Sequence, residues 1–187
     1  MDSRPLVSVI VPAYNVAPYV GAAIESALAQ TYPNIEIVVV NDGSTDDTAA
    51  AIAPYESQIV LVTQENRGLA GARNAGLRAA SGSFFALLDA DDIWLPDRME
   101  RLMEPFDADA QVENVTSDSY LMEDFTPTEK RSYPDRRRRP FPASEDDQIS
   151  EIARLNFLFI GVLFRRELIE RCGIFAEGTR VPEMAQS

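Results

Sequence analysis

Phe84-Phe85-Ala86-Leu87-Leu88-Asp89-Ala90-Asp91-Asp92 runs from an apolar stretch straight into a cluster of carboxylates. The apolar part reads as a fully buried strand, and unpaired carboxylates do not follow a strand into a core. Asp89 to Asp92 therefore sit at its mouth. Upstream, Leu6 to Val11 ends at Pro12-Ala13-Tyr14-Asn15, Ile35 to Val40 ends at Asn41-Asp42-Gly43, and Ile59 to Thr63 supplies a further strand. Helical patterns lie between them. Val20, Ala23, Ile24, Ala27 and Leu28 recur at helical spacing, Ser44-Thr45-Asp46-Asp47 opens a helix over Thr48 to Ala53, Leu69 to Ala80 follows Gly68, and Pro96 starts another running to Met103. The alternation predicts an α/β fold, a mostly parallel central sheet flanked by helices. Ligands of such sheets bind outside the carboxyl ends of the strands, where these polar turns converge.

A chain of 187 residues is sized for a single domain and can bury about 70% of its unfolded surface. It contains no histidine and one cysteine, Cys172. That excludes Ser-His-Asp and Cys-His catalysis, imidazole bases, thiolate zinc sites and internal disulfides. Any metal must be held by oxygen, which points to a hard cation such as Mg2+ or Mn2+. A net charge of −13 disfavours nucleic acid as a partner. No stretch approaches the ~18 apolar residues that span a bilayer, and the expected location is cytoplasmic.

After Phe106 the rhythm changes. Val112 to Met122 holds one or two strands, and residues 123–147, with four prolines and the run Arg136 to Arg139, read as a long exposed, flexible flap. A helix over Asp147 to Leu155, a strand over Phe157 to Phe164 and a helix over Arg166 to Arg171 follow, then an irregular tail over 179–187.

The aspartates at the fourth strand's mouth can aim two oxygens at one divalent cation, which in turn can bridge the phosphates of a nucleoside diphosphate. Asp92 serves equally well as a helix cap. Tyr14 can stack on a base or merely cover the sheet edge, and Asp42 can accept from a base imide or ribose hydroxyl or belong to an ordinary Asp-Gly turn. In Asn66-Arg67-Gly68-Leu69-Ala70-Gly71-Ala72-Arg73-Asn74-Ala75-Gly76, small residues let a helix pack closely, and Arg73 is placed to face a phosphate. Neither a Rossmann fingerprint nor a Walker loop is present.

VSVIVPAYN, VNDGSTDDT, ENRGLAGARNAG and LLDADD, in this order and spacing, resemble the nucleotide-sugar-binding half of family 2 glycosyltransferases with the GT-A fold. The resemblance covers residues 6–106 strongly and 150–178 loosely, making 107–178 a partial acceptor half of one domain spanning 1–187. It implies that Pro12, Ala13, Tyr14, Asn15, Asp42, Arg73, Asp89 and Asp91 form the nucleotide-sugar site. Tyr14 and Asp42 would hold the base, Asp89 the ribose, and Asp91 the metal, with Asp89 a second metal contact, direct or indirect. It also implies inverting transfer from a nucleotide-diphosphate sugar, most commonly UDP-linked, to an acceptor hydroxyl of a glycan or lipid-linked molecule, with a carboxylate as base.

In that family the base lies in a Glu-Asp pair after a segment like Cys172 to Gly178. Here Glu183 matches the first member and is the candidate catalytic base, while Met184 stands where the aspartate is expected and cannot take a proton. Compared with full-length members the chain reads as shortened. The alternative function is accordingly a catalytically incomplete nucleotide-sugar-binding module. An aspartyl phosphatase fits poorly, since its D-x-D follows the first strand. Arg136, Arg137, Arg138 and Arg139 are either solvated surface or a peripheral membrane contact through anionic headgroups.

Overall fold

Alternate residues of β1 (Val7–Ala13) supply both layers of the core, and every residue of the strand is buried. Val7, Val9, Val11 and Ala13 pack on one face and Ile10 on the other, as the period of two along a strand requires. The computed structural model describes residues 4–117, 119–123, 126–131 and 161–177. Within them β2 (Ile35–Asp42), β3 (Val60–Gln64), β4 (Phe84–Leu87), β5 (Asn114–Thr116) and β8 (Val162–Arg165) join β1 in a six-stranded sheet of order β3-β2-β1-β4-β8-β5. β1 to β4 are mutually parallel, while β8 runs antiparallel to β4 and β5. The α/β expectation thus holds, and β5 and β8, from the 107–178 stretch, extend the same sheet.

Three helices cover the first face: α1 (Val20–Leu28), α2 (Thr48–Ile52) and α4 (Arg98–Ala108). They contribute Val20, Ala23, Ile24, Ile52, Met99, Leu102, Met103 and Phe106. The second face is covered by α3 (Gly68–Ala79), and α5 (Arg166–Cys172) adds Leu168 and Ile169 to its margin. Close approach of α3 depends on Gly76, where a methyl group would run into Ile10 Cγ2. The Phe84 and Phe106 rings meet edge to face, centroids 4.9 Å apart.

Several boundaries differ from the sequence expectation: the last strand, expected over Phe157 to Phe164, starts at Val162 because Gly161 turns the chain at a φ of +69°, and two others shift further. Helix α4 begins at Arg98 and runs through Pro105 to Ala108, because Met99, Leu102, Met103 and Phe106 keep one apolar face over its full length. Residues 126–131, expected within an irregular flap, form β7 (Thr126–Arg131), paired with β6 (Tyr120–Glu123) in a separate two-stranded sheet. The rest of the flap, the Asp147 to Leu155 helix, residues 157–160 and the tail lie outside the described residues. Among the described residues, no helix is long and apolar enough to cross a membrane.

Candidate nucleotide-sugar site

β1 and β2 stay in register to the end, Ala13 beside Asn41, so Tyr14 and Asp42 enter the site from neighbouring strands. The loop after β1 is laced to the start of α2. Asn15, at a positive φ of 52° that asparagine tolerates better than most residues, accepts from Thr45 N at 2.8 Å and donates its own N–H to Ser44 Oγ at 3.1 Å. Val16 N donates to Thr48 Oγ1 at 2.8 Å. Tyr14 is left 48% exposed, whereas Pro12 and Ala13 are buried strand residues. Tyr14 therefore presents its ring, Pro12 and Ala13 serve as the strand that carries it, and the Asn15 carboxamide is engaged in holding the loop.

Asp42 is 2% exposed. Its Oδ1 accepts from Gln64 Nε2 at 2.6 Å and from Arg67 N at 2.9 Å, so the carboxylate is oriented by the end of β3 and the approach to α3. Gly43 follows at φ +72°, and a β-carbon there would lie 2.7 Å from Asn66 N. Only glycine meets both demands.

At the mouth of β4, Asp89 is partly buried and Asp91 exposed. Asp89 Oδ1 accepts from Arg73 Nη2 at 2.8 Å. Arg73 itself is 3% exposed, its Nε buried without a hydrogen-bond partner, its guanidinium 5.7 Å from the centre of the Phe175 ring. The Arg73 guanidinium, expected to face a phosphate, is thus paired with the Asp89 carboxylate. Burial, then the neighbouring charges of Asp89 and Asp91, push Asp92 up to about 6 against the pull of Arg98. Burial lowers Arg98 to about 10 although Asp92 draws it upward. Arg98 also donates to Ser117 Oγ and to Gly161 O and lies 5.1 Å from the centre of the Trp94 ring. The turn after the aspartates is tied to α1, with Trp94 N donating to Ser26 Oγ and Gln30 bonding Leu95 O and Met99 N.

No group of three acidic side chains among the described residues forms a closed cation cage. The donor set nonetheless suits Mg2+ or Mn2+: hard carboxylate oxygens at Asp89 and Asp91, at a spot whose excess negative charge already disturbs Asp92. Such a cation takes one or two carboxylates and completes its shell with substrate phosphates.

A second network was not anticipated from sequence. Asn74, fully buried in α3, donates Nδ2 to Phe175 O and to Glu177 Oε1, both at 2.9 Å, and accepts from Phe175 N at 2.9 Å. Arg67 Nη2 donates to Glu177 Oε2 at 2.6 Å. Hydrogen bonds from Asn74 and then Arg67 hold the Glu177 carboxyl below its usual range, outweighing the opposing effect of burial. The available signal was an asparagine, a poor helix former, inside an otherwise small-residue helix. Glu183 and Arg136 to Arg139 lie outside the described residues.

Residues 8–173 match the family described as Glycosyl transferase family 2. The succinoglycan biosynthesis protein ExoO of Rhizobium meliloti is 36% identical over 192 residues, covering 98% of this chain and 54% of that protein. The UDP-Glc:alpha-D-GlcNAc-diphosphoundecaprenol beta-1,3-glucosyltransferase WfgD of Escherichia coli is 46% identical over 97 residues, 51% of this chain and 38% of that one. Among solved structures, the mannosyltransferase PcManGT from Pyrobaculum calidifontis in complex with GDP-Man and Mn2+ superposes with a TM-score of 0.66 and 28% identity, over 94% of this chain and 48% of that one. The chain spans about half the length of ExoO and of PcManGT. With the family match covering most of its length and its fold shared with GT-A enzymes, the chain belongs to glycosyl transferase family 2.

Proposed function

We propose that this chain binds a nucleoside-diphosphate sugar with Mg2+ or Mn2+ at the mouths of β1, β2 and β4, and that the protein transfers the sugar with inversion to an acceptor hydroxyl. One observation carries this: Tyr14, Asp42 and the Asp89 to Asp92 cluster stand at the carboxyl ends of adjacent, mutually parallel strands of one sheet. Tyr14 stacks on the base, Asp42 accepts from the base or ribose, Asp89 takes a ribose hydroxyl, and Asp91 holds the metal. A divalent cation held by Asp91, with Asp89 beside it, would supply positive charge to offset that developing on the departing diphosphate. Glu183 is the proposed acceptor of the proton from the attacking hydroxyl. A UDP-sugar and a lipid-linked glycan acceptor are inferred from the name of WfgD. The GDP-Man complex of PcManGT supports a guanine donor as the alternative to test beside it.

The chain is to be incubated with UDP-glucose and, separately, GDP-mannose in the presence of Mn2+, and free nucleoside diphosphate measured. Release from one donor, lost with EDTA and in Asp91→Asn, is the expected result. Met184, standing where the family carries an aspartate, favours a second reading, a donor-binding module without turnover. Saturable donor binding with no release, even when a polyprenyl-diphosphate-linked sugar is supplied as acceptor, would establish that one, and a folded chain that binds neither donor would overturn both.

A further inference from the structure

We propose that the segment 174–177 is a strap that positions the donor site from below: Asn74 and Glu177 seat Phe175 over Arg73, and Arg73 in turn fixes Asp89. This rests on the donor-site reading given above. Asn74 takes both backbone groups of Phe175, its N–H and its carbonyl, through one carboxamide. That is the pairing a neighbouring strand would offer, and it leaves the Phe175 backbone one position. Glu177 closes the strap with one oxygen on Asn74 and the other on Arg67.

Arg73 has five N–H donors, yet among the described residues its guanidinium makes one hydrogen bond, to Asp89, while its Nε is buried without a partner. A single bond does not fix a planar cation. Its other contact is the Phe175 ring, whose centre lies 5.7 Å from Cζ, a cation–π attraction that strengthens where water is excluded. The path from Glu177 to Asp89 thus consists of hydrogen-bonded pairs and one cation–π contact, and its bonds between Asn74 and the strap join residues about a hundred positions apart in the chain. Asn74, Phe175 and Glu177 are positioning residues. None of them touches the ligand in this arrangement.

The test is calorimetry of UDP and GDP with Mn2+ on wild type, Phe175→Ala, Phe175→Tyr, Arg73→Met and the double variant Arg73→Met/Phe175→Ala, each first checked for wild-type circular dichroism. Phe175→Ala is expected to weaken the bound nucleotide about tenfold, and Phe175→Tyr to restore it to within about twofold. In the Arg73→Met background, Phe175→Ala should add less than about twofold, since residues acting through one another are not additive. Unchanged affinity in Phe175→Ala, or a loss that adds in full to that of Arg73→Met, overturns the strap. If Phe175→Ala fails to fold, Phe175→Leu takes its place, keeping apolar cover without the π face. If wild type binds neither nucleotide, the donor-site reading fails separately, and the strap is decided by the Arg73 Nε proton. Its exchange with solvent, followed by 15N NMR, should quicken at least tenfold in Phe175→Ala and in Glu177→Gln; an unchanged rate sinks the proposal.

Discussion

Asp42, Asp89 and Asp91 are three carboxylates with three different surroundings. Asp42 is buried and bonded to Gln64 and Arg67 N, Asp89 is partly covered and paired with Arg73, and Asp91 is exposed. Replacement should therefore separate them. Asp42→Ala removes the acceptor of two part-buried hydrogen bonds, from Gln64 Nε2 and Arg67 N, and each is worth about 0.5–1.5 kcal/mol, seen as a fall of several degrees in the melting temperature. Asp42→Asn keeps an acceptor oxygen at the same place, so it should melt near wild type and lose nucleotide affinity at least about tenfold, measured by calorimetry. Gly43→Ala combines a φ of +72° with a β-carbon 2.7 Å from Asn66 N. It is expected to destabilise by more than about 1 kcal/mol in denaturant titration, since Asn66 belongs to the same turn that orients Asp42.

At the scale of elements, the amino ends of the strands carry a seam remote from the site. Glu36 of β2 accepts from Ser8 Oγ of β1, from Ser81 N and Oγ, and from Gly82 N in the turn before β4. Burial works to raise its pKa, but these bonds together hold the carboxyl below the ordinary 4.5. A carboxyl lowered on folding contributes stability above its unfolded pKa and loses it as pH falls from about 4.5 through the folded value. Glu36→Gln should be less stable than wild type by about 1–2 kcal/mol at pH 7, the gap closing below pH 4.5 in thermal melts taken across pH. Nucleotide affinity should be untouched. Much of this layer was legible in the chain: beyond the Ser8 and Glu36 seam, Val9 to Val11, Ile37 to Val40 and Phe84 to Leu88 are apolar on both faces because both faces of the sheet are covered. β7 was not, since Thr-Pro-Thr-Glu-Lys-Arg carries no apolar face, and its pairing with β6 is a property of the hairpin as a whole.

At the scale of the molecule, the sheet order explains why the candidate residues could be found and their supports could not. Tyr14, Asp42, Asp89 and Asp91 each lie within about three residues of the end of an apolar run, so local pattern and the rule for strand ends locate them together. The Asn74 to Glu177 clamp and the Arg98 contacts to Ser117 and Gly161 join positions distant in sequence, which no local pattern encodes. Arg73 was visible as a candidate, but its burial beneath Phe175 was not. Because no three acidic side chains among the described residues form a closed cage, Mn2+ alone should bind weakly, and metal and nucleotide should each tighten the other by the same factor.

The donor site is tested most directly by titrating UDP, then GDP, into the chain with Mn2+ and again with EDTA, beside Asp91→Asn. One of the two nucleotides should bind saturably, lose its affinity with EDTA, and bind Asp91→Asn at least about tenfold more weakly. A folded chain that binds neither nucleotide, or binds one equally well without metal or without the Asp91 carboxylate, would contradict the donor site described here.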